Sequence, residues 1–203
     1  MGDWQNYSAP RANPFLTPVR RKAFVSFYGA NRIEEVDEFV RIWSLQHQVF
    51  IAKAVGLTYG NDLINSDDAD YVMRRLRADY LADSTVTILL LGPCTHSRRY
   101  VDWELKASLR QGDVYVPNGL LGILLPSAGG RPYLPPRFAA NWSSGDAACY
   151  ARYRPWPAGA DQLWSWIEDA YNARTTRNLL IQNSADMMRY NATCRVCGIT
   201  HPA

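Results

Sequence analysis

Thr85-Val86-Thr87-Ile88-Leu89-Leu90-Leu91, halted by Gly92-Pro93, is the stretch on which the fold turns. It is nearly all apolar and shows no polar alternation, as a strand covered on both faces must be. Such a strand belongs inside a parallel sheet, so helices should precede and follow it in the chain. Both flanks comply. Upstream, Asn65-Ser66-Asp67-Asp68 reads as a helix start, with Val72, Leu76 and Tyr80 as its buried line. Downstream, a helix over roughly 98–111 groups Val101, Leu105, Ser108 and Leu109 into one inward stripe at about 100° per residue.

Working outward, the alternation of strand and helix continues. Ala23-Phe24-Val25-Ser26-Phe27-Tyr28, closed by Gly29, reads as the first strand. Ile33, Val36, Val40 and Trp43 follow at helical spacing, with Glu34, Glu35 and Asp37 suited to a helix N-terminus. Val49-Phe50-Ile51 reads as the second strand, Leu120–Leu125 before Pro126 as the fourth, and Cys149–Tyr153 as a short fifth. A last helix after Pro157 carries Leu163, Trp166, Ile167 and Tyr171 on one side. The expected fold is therefore α/β, a doubly wound, mostly parallel five-stranded sheet flanked by helices. Residues 1–20, with Pro10, Pro14 and Pro18, read as a flexible arm, and residues 184–203 as a weakly patterned tail.

Composition narrows the function classes. Of 203 residues, 47% are hydrophobic and 20% charged, which is globular usage. A net charge of +3 with no basic run gives no nucleic-acid footprint. No stretch of about 18 apolar residues suits a membrane span. The first residues lack a secretion signal, and Asn6 stands where myristoylation needs Ser or Thr. A reducing cytoplasm, with the cysteines as thiols, is the expected setting. No G-x-G-x-x-G, Walker loop or H-E-x-x-H occurs, which argues against the commonest dinucleotide, nucleotide-hydrolysing and zinc-protease chemistries.

In doubly wound sheets ligands gather at the carboxyl ends of the strands, near the point where strand order reverses. The loops after strands one and three are thus the places to look. Glu104 lies on the border of the third helix's inward stripe, close to that edge. Periodicity leaves two readings open: a surface acid on an amphipathic helix, or a half-desolvated carboxylate able to steady a developing cation. Phe27 and Tyr28 end the first strand, where flat rings either finish the core or stack on a flat ligand. Arg98 and Arg99 oppose the macrodipole at the start of the third helix, as solvated arginines or as grips for a pyrophosphate. Trp103 points away from the stripe, as a pocket cover or an interface residue.

Three segments together resemble the TIR-like proteins of bacterial Thoeris anti-phage defence, and so the TIR-domain NADase and cyclase family. They are Ala23–Tyr28, like the family's F-x-S-[FY] opening strand; Asp83–Gly92, like its central strand; and Arg99–Ser108, like the helix that carries an aromatic or basic residue followed by Glu. The resemblance runs from about Lys22 to Tyr171 and sets a TIR-like domain over 21–183. It implies a flavodoxin-like TIR fold and NAD as substrate, with no cofactor. Glu104 falls at the position required for breaking the nicotinamide–ribose bond. Water capture would then yield ADP-ribose, and internal capture a cyclic isomer that reaches a separate nucleotide-sensing effector. The resemblance further implies TIR–TIR self-association, and a mobile loop around Asp62, Ser66 and Asp67 that lines the pocket or contacts neighbouring subunits, where Ser66 serves equally well as a plain N-cap. A non-catalytic module that assembles with other TIR or effector proteins is the alternative.

Cys194-Arg195-Val196-Cys197, followed by His201, makes half of a zinc site. The fourth ligand would have to be Cys149 or Cys94, and no second C-x-x-C exists, so the sequence favours no metal. His47 and His96 have no partners at catalytic spacing and read as structural or exposed.

Overall fold

Val86–Leu91 is buried along its whole length and sits in the middle of a parallel sheet. The computed structural model describes residues 19–28, 33–53, 68–112, 115–130, 132–145 and 148–202. The sheet has five strands: β1 (Arg21–Ser26), β2 (Phe50–Lys53), β3 (Val86–Leu91), β4 (Gly119–Leu124) and β5 (Arg152–Arg154). Their spatial order is β2-β1-β3-β4-β5 and every pair is parallel. This is the flavodoxin-like order, which reverses direction between β1 and β3. Val25 lies beside Ile88, and Ile88 beside Leu121, across the buried centre.

Alternation along the strands sorts the helices onto two faces. Val25, Ile88, Leu90, Leu121 and Ile123 form one core with α1 (Ile33–Phe39), which runs on as a wider π-wound segment to Gln46. On the other face Phe24 meets α2 (Ala69–Arg75), itself extended by π-wound Leu76–Leu81. Leu89, Leu91 and Leu120 pack there against Val101, Leu105 and Leu109 of α3 (Arg99–Ser108) and its C-terminal turn, and against Phe138 of α4 (Pro136–Ala140). Leu163, Ile167 and Ala170 of α5 (Ala160–Thr176) complete the first core. The N-cap of α2 is Asp68, whose carboxylate accepts from the N–H groups of Asp70 and Tyr71 at 3.0 and 3.1 Å. That corrects the N-cap reading of Ser66, because only one residue can supply that acceptor.

Two glycines of β4 let helices approach from opposite sides. A Cβ on Gly119 would run into the backbone carbonyl of Ala170 in α5, and one on Gly122 into the ring of Phe138 in α4. Gly119→Ala should cost about 1–3 kcal/mol, since α5 must shift bodily to make room. An unchanged urea midpoint would show that the helix moves freely.

The chain beyond α5 does not hang loose. After a short turn at Asn178–Leu180 it crosses the outer side of α3. Lys106 Nζ donates to the carbonyls of Asn183 and Ala185 at 2.7 and 3.0 Å, and Trp103 Nε1 to that of Met188 at 2.8 Å. The Asn191 side chain accepts from Arg99 N–H at 2.8 Å, capping the first turn of α3. Weak patterning in this tail has a plain cause: it is held through its backbone, which leaves no apolar period in the sequence.

Candidate functional site

The carboxyl ends of β1 and β3 border the point where strand order reverses. Ser26, the last residue of β1, shares a sheet face with Phe24 and is fully buried. That face looks onto α3, and Ser26 Oγ donates to Glu104 Oε2 at 2.6 Å. Glu104 is buried, with 9% of its surface exposed, so the amphipathic-surface reading fails. Burial pushes its pKa up to about 8, and the Ser26 hydrogen bond pulls the other way without winning. At neutral pH the group is therefore mostly a neutral acid, poised in the range where a carboxyl can take or release a proton.

Ser26 is a member of the site that sequence reasoning passed over. Its signal was present in the F-x-S-[FY] strand, two residues beyond buried Phe24, but the partner stands 78 residues away.

The other candidates gather unevenly. β1 ends at Ser26, two residues sooner than expected, so Phe27 and Tyr28 leave the strand and lie half-buried beyond its end. Phe27 packs against the first core. Tyr28 receives the Arg98 guanidinium at 4.0 Å from its ring centroid. Arg98 and Arg99 are each 7% exposed, which overturns their reading as solvated. Arg98 Nη2 donates to the Pro202 carbonyl at 2.5 Å, while its buried Nη1 makes no hydrogen bond to any described residue. Burial also holds the Arg98 pKa below the usual guanidinium range.

Trp103 departs from expectation as well. It is neither pocket cover nor exposed interface but is buried with Phe24, Val72, Met73 and Leu76. The reason is the tail, which roofs what would otherwise be the outer face of α3. Beside Trp103, Asp102 forms a two-point ion pair with Arg137 of α4 at 2.9 and 3.2 Å, both side chains nearly inaccessible. Asp62, Ser66 and Asp67 lie outside the described residues, as do 29–32, which follow β1, and most of the 1–20 arm.

Two surface clefts of about 490 and 440 Å³ open elsewhere, around Arg77 and Arg110 near the N-terminal ends of the strands. Neither is lined by a described carboxylate, His or Cys. Size alone does not make a site, and the reactive groups are at the opposite edge. Of the histidines, His96 is buried and accepts from Arg195 N–H at 3.1 Å, whereas His47 is exposed and stacks on Trp43. The structure also brings Cys94 to Cys194, Cys197 and His201, the partner that the sequence left undetermined.

A family model for the Thoeris protein ThsB, TIR-like domain, matches residues 24–129, more than half of the chain. No curated protein matches. The matched stretch runs from β1 through β4 and includes Ser26, Arg98 and Glu104. It ends well before Tyr171, so the resemblance is shorter than the sequence reading expected, and the tail stands outside it.

Proposed function

The chain belongs to the Thoeris ThsB TIR-like family, and from that premise we propose that it breaks the nicotinamide–ribose bond of NAD, with Glu104 as the acting carboxyl group. Membership makes it a TIR-domain protein of anti-phage defence. The observation that carries the proposed NAD cleavage is the buried Glu104 carboxyl, bonded to Ser26 at the edge where β1 and β3 diverge.

The chemistry fits such a group. Nicotinamide leaves with the electrons of the C–N bond, and the ribose becomes oxocarbenium-like. A carboxylate beside that carbon is worth most when it is shielded from water. The resting acid need not be ionised beforehand. A cationic nicotinamide ring alongside favours the charged form, so substrate binding lowers the Glu104 pKa and the carboxyl proton passes to water before the C–N bond breaks. Arg98 Nη1, buried without a partner among the described residues, would take a pyrophosphate oxygen, and Tyr28, held beneath the same guanidinium, offers a flat surface. Trp103, committed to the core, is given no part in binding.

Capture of the ribose by water would give ADP-ribose, and capture by an atom of the same molecule a cyclic isomer. The cyclic product suits a signal read by a separate nucleotide-sensing effector, with self-association through TIR contacts. No described helix is long and apolar enough to cross a membrane, so the reading needs no bilayer.

Purified protein should release nicotinamide from NAD, followed by chromatography, alone or with infected-cell lysate as trigger. Glu104→Gln should lower the rate by about 10²–10³-fold. Equal rates in the two proteins, or silence of the wild type under both conditions, would leave the interaction-module reading in its place.

A further inference from the structure

The tail poses a problem of cohesion. Between Arg189 and Pro202 the only fully buried residue is Cys194. Tyr190, Val196 and Ile199 are exposed. Apolar burial therefore cannot hold this segment in place. Yet it takes a defined path: Ala192 N–H donates to the Ser97 carbonyl at 2.9 Å, and Arg98 reaches Pro202.

Four metal-binding side chains meet here. Cys94, from the turn after β3, lies against Cys194, Cys197 and His201, with all four ligand atoms within 4.8 Å of one another. Cys94 Sγ to Cys197 Sγ is 3.8 Å, and Cys197 Sγ to His201 Nε2 is 3.3 Å. A tetrahedral zinc ion with Zn–S near 2.3 Å and Zn–N near 2.0 Å needs about 3.8 Å between sulfurs and about 3.5 Å from sulfur to nitrogen. A disulfide would need its sulfurs at about 2.05 Å and would leave a third thiol over.

The backbone is shaped for the same purpose. In Cys194-Arg195-Val196-Cys197-Gly198-Ile199 the chain folds into a knuckle. Cys194 N–H donates to the Ile199 carbonyl at 2.9 Å, and Gly198 N–H to the Cys194 carbonyl at 2.8 Å. Gly198 takes a φ of +72°, which favours glycine. Val196 N–H points at Cys194 Sγ, 3.4 Å away, as amide groups do toward a metal-bound thiolate. Asn191 Nδ2 donates to the His201 carbonyl at 3.0 Å and fixes the backbone that carries the imidazole.

We infer that Cys94, Cys194, Cys197 and His201 form a structural zinc site that staples the C-terminal tail to the turn after β3. Three thiolates and one imidazole suit zinc over harder cations, and four protein ligands leave no open position for catalysis. The staple also sets the neighbourhood of the candidate site. The His201 ring lies 5.5 Å from that of Tyr28, and Pro202 occupies one edge of Arg98.

The test uses the full chain and does not depend on any NAD chemistry. Protein made in zinc-supplemented medium should carry stoichiometric zinc by elemental analysis. Cobalt exchanged into it should show the intense visible absorption of a tetrahedral thiolate site. Cys197→Ser, at an exposed position, should lose the metal while keeping its far-ultraviolet circular dichroism. His201→Cys should keep the metal and shift the cobalt spectrum toward that of four sulfurs. Wild-type protein free of zinc with all its thiols titratable, a Cys194–Cys197 disulfide by mass spectrometry, or zinc undiminished in Cys197→Ser would each overturn the assignment.

Discussion

Glu104→Gln is expected to be more stable than the wild type above neutral pH, by about 4–5 kcal/mol once the carboxyl would have ionised. The sign follows from proton uptake. In the unfolded chain the carboxyl titrates at its ordinary value of 4.5, whereas in the folded protein burial raises it to about 8. Below pH 4.5 both states hold the proton, and the group costs nothing. Between 4.5 and 8 the unfolded chain has released it and the folded chain has not, so wild-type stability falls as pH rises. Above 8 the loss is complete. Glutamine keeps the shape, stays neutral throughout and removes this slope. Urea midpoints for both proteins across pH 4–9 measure the difference. Parallel curves would mean that water reaches the carboxyl, and the electrostatic basis of the proposed chemistry would go with it.

Arg137→Ala should destabilise the fold by about 3–5 kcal/mol. The guanidinium is nearly inaccessible, pairs with the equally buried Asp102, and also donates to the carbonyls of Ala185 and Asp186 in the tail. Removing it strands a carboxylate inside the protein and frees two tail carbonyls in the same step. Met188 N–H would remain as a donor to Asp102 Oδ2, at 2.8 Å, too little to offset a buried charge. Replacing both partners by apolar residues, as in Asp102→Leu with Arg137→Met, should cost less than the two single changes summed. Denaturant unfolding checks both expectations, and limited proteolysis reports whether the tail lifts first. A single-variant loss below about 1 kcal/mol would mark the pair as solvent-screened.

These two residues show where the sequence is mute. Arg137 follows Pro135-Pro136 in a stretch without apolar period, and Asp102 falls outside the inward stripe of α3, so nothing local pairs them. Periodicity reports which side of a helix faces the sheet, and it did so for Val101, Leu105, Ser108 and Leu109, all buried as expected. It carries no information about a second partner that covers the other side through main-chain carbonyls. The same gap explains why Trp103 is buried in the core and why the arginines at the start of the helix are not solvated.

What the linear chain determined by itself is the sheet: the five strands, their mostly parallel sense and the helix that holds Glu104, because burial on one or both faces leaves a period that can be read locally. The family likeness rests on those same segments. The tertiary structure alone decided which side chains meet: Ser26 with Glu104, Asp102 with Arg137, Cys94 with a C-x-x-C and a histidine about 100 residues later. Such pairings leave no periodic trace, since a hydrogen bond or a metal ligand set needs only closeness in space, and closeness across so many residues is set by how the layers stack.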